Sequence, residues 1–337
     1  MIKPPSKALG FGLLFLLLLA GMTALLFIGP VHLDAGEIWK ALTGTQDDPV
    51  AVAIVRGSRW PMAVTALFSG AALSAAGLMM QTVFRNPLAG PSVLGVSTGA
   101  SLGVAVVMLG AGSALGGMAR LGSFFGALLG AGAVIAVLVA VSARVRSNAL
   151  LLIVGLMVSY LGSSLISLLN FFAPAEGIRS FVVWGMGSLQ TVGPDELLPF
   201  ALSTSVLLIL ALLSIKPLNA LLLGETYARS LGYPVGRIRT GLLVVSGLLT
   251  AITSAYCGPI GFIGLVVPHL VRLLLHTGNH RLLMPASIIG GGALMVACAL
   301  ISVLPERGGI IPINAITPVI GVPIILMIIL KRNRISS

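Results

Sequence analysis

Apolar residues run along this chain in blocks of about twenty, separated by short stretches that hold nearly all of its charge. Blocks of that length match the ~20 residues an α-helix needs to cross a hydrocarbon core. Ten are expected to be spanning helices, over residues 8–29, 60–82, 92–110, 119–142, 149–172, 194–215, 235–256, 259–276, 283–304 and 312–330. The period-two alternation of a membrane β-barrel is not seen. Several blocks contain Pro or Gly, which spanning helices tolerate when neighbours take up the freed backbone groups. Blocks three and four carry glycines four apart: Gly95, Gly99 and Gly103, then Gly122, Gly126 and Gly130. Such ridges let a second backbone approach closely, within one subunit or between two.

Composition narrows the class. Of 337 residues, 57% are hydrophobic and 9% charged, against about 25% charged in a soluble domain. The fold class is therefore an all-α polytopic membrane protein of about ten transmembrane helices, one domain over residues 1–337. Cys257 and Cys298 have no CxxC spacing and read as buried free thiols. The first block follows Lys3 and Lys7, exceeds a usual signal-peptide core and lacks an A-x-A site, so it reads as an uncleaved first span. The net charge of +11 is scattered among hydrophobic segments rather than clustered for nucleic acid. With ten spans both termini share a side. If that side is the cytoplasm, only Lys40, Arg56, Arg59, Arg120, Arg179 and Arg307 of the 20 Lys and Arg lie outside. The positive-inside bias fixes this orientation.

The chemistry that is missing excludes other classes. Apart from Asp195 and Glu196 at the very start of the 194–215 block, no Asp or Glu falls inside a predicted span, whereas ion-coupled transporters generally need intramembrane ionisable groups. An ion-coupled secondary transporter is the alternative reading, and this absence weighs against it. No P-loop or HExxH occurs, so the chain is not expected to hydrolyse ATP or to be an enzyme. His32, His269, His276 and His280 show no convincing ligand spacing, and Gly278 interrupts the 276–280 pair. No metal or cofactor is expected.

Two connectors stand out. The outer one holds an apolar patch, Phe181 to Met186, suited to a short helix lying at the outer face. The inner one, Lys216 to Arg239, contains "LGETYARSLGYP". Pro217 can start a short helix. Gly224 is an acceptable N-cap for a second, and Glu225 sits in its first turn, where negative charge suits the dipole. Glu225 and Arg229 form an i,i+4 pair in the favoured order, and Gly232 and Pro234 end the helix. Two short helices exposed toward a partner, or a plain surface connector, both fit.

The block "LNALLLGETYARSLGYPVGRIR" resembles the coupling-helix segment of the FecCD family, the iron-siderophore, haem and cobalamin permeases of ABC importers. "RGSRWPMAVTALFSGAALSAAGLMMQTVFRNPLAGPSVLGVSTGA", "GPIGFIGLVVPHLVR" and "FVVWGMGSL" are similar to three further family blocks, so the resemblance runs from about residue 50 to the C-terminus. It implies a type II ABC importer permease fold in the bacterial inner membrane. It also implies a lipid-embedded homodimer, two cytoplasmic ATP-binding subunits, an extracytoplasmic substrate-binding protein, and an iron chelate, haem or cobalamin as cargo. Residue by residue, it makes 216–234 the coupling segment, with Leu223, Gly224, Glu225, Arg229 and Gly232 facing the ATPase. Arg56, Arg59 and Arg307 become docking residues for the binding protein, or charges that hold a helix end. Ser147 and Asn148 become the inner gate, or simply the cap of a helix. The chain departs from the family in "ISVLPERGGIIPINAITP", where Ile311 and Asn314 replace the Glu and Gly of the usual "ELPVG" and the usual Arg falls near Val303.

Overall fold

The computed structural model describes residues 7–29, 31–45, 48–111, 118–145, 147–305 and 309–336; Lys3, Arg146 and Arg307 lie outside the described residues. Fifteen α-helices follow in order among them: α1 Lys7–Phe27, α2 Ala35–Thr43, α3 Pro49–Ile54, α4 Trp60–Val83, α5 Val96–Ala105, α6 Ala119–Arg144, α7 Asn148–Phe172, α8 Ala175–Gly185, α9 Pro194–Leu213, α10 Ile215–Leu222, α11 Glu225–Ser230, α12 Val235–Cys257, α13 Ile263–Leu275, α14 His280–Val303 and α15 Ile313–Ser336. No strand occurs among the described residues.

Seven helical stretches are long and apolar enough to cross a membrane, and three shorter apolar helices occupy Val96–Gly110, Ile263–Leu275 and Ile313–Met327. Together they fall where the ten apolar blocks are. The second block begins earlier than hydropathy predicts. Asp48 caps α3 by accepting from the Val50 amide, Pro49 stands at the first helical position, and a π-helical turn, Val55–Arg59, joins α3 to α4 without a break. The result is a continuous helix of 35 residues, Pro49–Val83. Helix α2 lies between the first two apolar blocks, where hydropathy marks no element. Its signals are local: Asp34 and Glu37 form a reciprocal capping box, and Gly44, at φ 85°, ends it in the left-handed region. The outer connector forms α8, longer than the 181–186 patch, because Pro174 and Glu176 start it early.

Helix α4 runs through the middle of the bundle, buried along nearly its whole length. It can lie there because its neighbours meet it through glycines. A Cβ on Gly70 would sit 2.1 Å from the Gly291 carbonyl oxygen of α14, and one on Gly77 would sit 1.8 Å from that of Gly264 in α13. The ridges on α5 and α6 meet in the same way. A Cβ on Gly103 would lie 1.8 Å from Gly126 O, and one on Gly130 would lie 2.0 Å from Gly99 O. These ridges therefore pack inside one chain, the first of the two arrangements the spacing allows.

The outer faces remain apolar. Helix α7 buries only Leu151, Gly155 and Gly162, leaving Met157, Tyr160, Leu161, Phe171 and Phe172 exposed. Cys257 and Cys298 are free thiols in the interior.

The backbone contact at Gly103 makes a direct prediction. Gly103→Ala should destabilise the folded protein by about 1–3 kcal/mol, the usual cost of overpacking. Gly132→Ala, on the same bundle but with open space at its Cβ position, should leave the melting temperature in detergent unchanged. Thermal unfolding of the two variants side by side checks this.

Candidate functional site

The bundle has a basic end, where α10 and α11 protrude, and an opposite end built around α2, α3 and α8. At the basic end, the predicted pair of short helices is present. Gly224 sits between them at φ 118°, ψ 148°, a backbone region open essentially to glycine alone. Its carbonyl accepts the Ala228 amide at 2.8 Å, which starts α11. Gly232, at φ 84°, ends α11, with the Tyr233 amide bonded back to Ala228 O at 3.1 Å. Leu223, Tyr227 and Leu231 are exposed, whereas Ala228 is fully buried. The pair thus has an anchored face and a free apolar face. Glu225 and Arg229 are 3.8 Å apart, with Arg229 exposed and Glu225 half-buried, and a partly solvated ion pair of that length adds little stability. Arg85, itself at φ 47°, donates to Leu221 O and lines an open concavity of about 590 Å³ with Gly224, Glu225 and Tyr227.

The segment 216–234 and the Ser147–Asn148 pair lie far apart along the chain. The structure brings them together. Ser147 caps α7, its hydroxyl oxygen accepting from the Leu150 amide. Asn148 Nδ2 donates to Val83 O at 3.0 Å and to Glu225 Oε1 at 3.4 Å. Its Oδ1 accepts from Arg239 Nη1 at 3.0 Å. Arg239 was legible only as a topology charge. It is buried, and it also donates to the Ser142 hydroxyl and to the carbonyls of Ser142 and Val145.

A second polar group ties the base of the bundle together. His280, fully buried, bonds Thr82 Oγ1 through Nε2 at 2.8 Å, and Asn219 Oδ1 accepts from its backbone amide at 2.8 Å. Arg272 donates to Gln81 Oε1 at 2.5 Å, and His269 pairs with Pro87 O. The ring nitrogens of both histidines thus face protein partners in the links that join α4, α10, α13 and α14.

At the opposite end the two arginines of the π turn diverge. Arg56 is exposed and donates to Leu42 O at 2.8 Å. Arg59 is 7% exposed and reaches the carbonyls of Leu26, Phe27 and Val31. Of the two readings for Arg59, a charge holding a helix end fits this geometry, since these carbonyls close α1. The departure at 311–314 also has a structural counterpart. Ser302 and Ile311 pair through the Ile311 amide and the Ser302 hydroxyl. Asn314 Nδ2 donates to Gly185 O at 3.1 Å and to Pro259 O at 2.5 Å, while its Oδ1 accepts from the Gly261 amide at 3.3 Å. One side chain thus knots the end of α8, the loop before α13 and the start of α15. Beside it a cavity of about 730 Å³ opens, walled by Phe124, Trp184 and Tyr256 and by the Arg120–Glu196 ion pair at 2.6 Å.

Ten apolar helical stretches among the described residues, with a pair of short helices exposed at one end, mark a multi-pass membrane protein. The FecCD transport family model matches residues 14–331, and the chain belongs to that family. It is 34% identical over 317 residues to the vitamin B12 import system permease protein BtuC of Klebsiella pneumoniae subsp. pneumoniae, covering 94% of each chain. It is 33% identical to BtuC of Escherichia coli O127:H6, over 90% of this chain and 91% of that one. A solved structure described as an inward-facing conformation of a metal-chelate type ABC transporter superposes with a TM-score of 0.84 at 30% identity, covering 96% of this chain and 99% of that one. The protein is a membrane-embedded permease subunit of the ABC importer type.

The Asn314 knot yields a test. Asn314→Ala should cost about 1–3 kcal/mol by leaving Gly261 N, Gly185 O and Pro259 O without their partner. Asn314→Asp should be worse, because a carboxylate would face two carbonyl oxygens. Unfolding temperatures of both variants in nanodiscs give the order.

Proposed function

We propose that this chain is one half of a homodimeric permease that moves a bulky iron chelate, haem or cobalamin across the bacterial inner membrane, driven by two cytoplasmic ATP-binding subunits. The observation that carries the reading is the α10–α11 pair. It protrudes from the basic end with Leu223 and Tyr227 exposed, and its one acidic side chain reaches back to Asn148. That is the arrangement a partner-driven machine needs: a surface to be moved and a connection from that surface to a spanning helix. Gly224 and Gly232 set its ends, and Glu225 and Arg229 supply its polar contacts. The basic end faces the cytoplasm, in keeping with the Lys and Arg distribution, and both termini lie there.

The path runs between two copies along α7. This helix is apolar enough to span, yet its exposed face carries Tyr160, Ser163, Ser164 and Ser167 at helical spacing. Hydroxyls at mid-span suit a path or a partner subunit better than hydrocarbon. Ser147 and Asn148, at the cytoplasmic start of the same helix, form the inner gate. On the other side of the membrane a substrate-binding protein docks, with exposed Arg56 offering charge for steering and register and Arg307 as a further basic contact. Arg59 supports that surface from beneath. The cargo class follows the relatives, named for vitamin B12 import and described for metal chelates.

Reconstitution with cognate ATP-binding subunits and a cognate binding protein tests the reading. Uptake of labelled cobalamin, ferric siderophore or haem into proteoliposomes should require ATP and survive collapse of ion gradients. Uptake that follows an ion gradient without the ATPase would overturn it in favour of a secondary transporter. Reversing Glu225 and Arg229 together should weaken ATPase co-purification by about tenfold, the factor that ~1.4 kcal/mol supplies.

A further inference from the structure

We infer that Arg239 is a positioning residue that aims the Asn148 amide at Glu225. The chain Arg239–Asn148–Glu225 then carries movement of the coupling helices into the start of α7. The inference rests on the permease reading above and adds to it a named connection between the ATPase-facing surface and the gate.

The argument starts from donor and acceptor inventory. A guanidinium can only donate, and an ionised carboxylate can only accept. Asn148 stands between one of each. Its Oδ1 faces Arg239 Nη1 at 3.0 Å, and its Nδ2 faces Glu225 Oε1 at 3.4 Å and Val83 O at 3.0 Å. Turning the amide over would set its NH2 against the guanidinium and its oxygen against two acceptors. The amide therefore has one usable orientation, and Arg239 imposes it.

Arg239 is itself held from several sides. Its Nε donates to Ser142 Oγ at 3.1 Å and its Nη2 to Ser142 O at 2.9 Å, with Val145 O also bonded. These carbonyls close the C-terminal turn of α6, where unpaired acceptors and the negative end of the helix dipole gather. One buried side chain at the start of α12 thus fastens the end of α6 to the start of α7. Against this fixed unit the contact to Glu225 is the longest of the set, and it is the one that reaches a short helix exposed on most of its surface. Displacing α11 parts or remakes this contact first, while the bond to Val83 O keeps Asn148 on α4.

The test uses the complete complex of permease, ATP-binding subunits and binding protein in proteoliposomes, reading uptake per ATP hydrolysed and the amount of ATPase retained. Asn148→Asp keeps the partner of Arg239 but sets a carboxylate against Glu225, and should lower uptake per ATP by about fivefold or more. Adding Glu225→Gln supplies an amide donor to that carboxylate and should restore the ratio to within about twofold of the unaltered complex. Arg239→Lys keeps the charge but loses the fork of donors, and should lower the ratio while ATPase retention stays unchanged. If the double variant is no better than Asn148→Asp alone, in assembly or in uptake per ATP, the relay is refuted. So it is if Arg239→Lys transports with the unaltered ratio. An unaltered complex that takes up nothing with ATP overturns the permease reading instead, and the inference with it.

Discussion

The constraint on which the rest of this structure depends is that a peptide group inside hydrocarbon has no water to bond. Each N–H and C=O must find a partner within the protein or pay several kcal/mol. Continuous helices meet that demand along their length but not at their ends. The chain deals with exposed helix ends by sending arginines from elsewhere. Arg59 closes the carbonyls at the end of α1, Arg85 reaches the end of α10, and Arg239 closes the end of α6. Each brings positive charge to the negative end of a helix dipole. Arg85 and Arg239, which count toward the charge bias that orients the protein in the membrane, therefore also serve as caps for its own helices.

Where the chain leaves helical geometry inside the bundle, a different device appears. Leu189, Val192 and Ile260 belong to non-helical segments yet are buried. These stretches hold one another through Ser188 N to Cys257 O and Ile313 N to Gly187 O, and through the amide of Asn314. A glycine at 314 would leave three backbone groups to find other partners. Asn there makes this end of the bundle a tied junction. The basic end differs. Its two short helices are anchored by Leu218, Leu221 and Ala228 and by a handful of polar contacts rather than by backbone-to-backbone packing.

Much of this was legible in the sequence, for reasons that differ by feature. Hydropathy located the ten apolar helices because burial in lipid selects composition over a whole turn-by-turn length. The glycine ridges were legible because only glycine allows backbones so close. Gly224 and Gly232 announced the ends of α11 because their dihedral angles exclude other residues. What escaped was pairing at the atomic level. Arg56 and Arg59 look equivalent along the chain, but a π-helical turn takes more residues than an α turn, so three positions fall well short of a full turn, and one points out while the other turns in. Arg239 and Arg237 look equally like topology charges, and only the fold shows that the first reaches across to α6 and α7. Helix α2 is invisible to hydropathy because nine amphipathic residues make no long apolar run, and only its capping box marks it.

The burial of both cysteines has a practical side. Cys257 and Cys298 are 1% and 0% exposed, and neither is in a disulfide. Thiol reagents added from water therefore meet a molecule with no native site to modify. A single cysteine introduced on α11 or on the exposed face of α7 would be the sole attachment point for a spin label or fluorophore. The native chain can in this way serve as its own background-free scaffold for watching distances change between helices during a transport cycle.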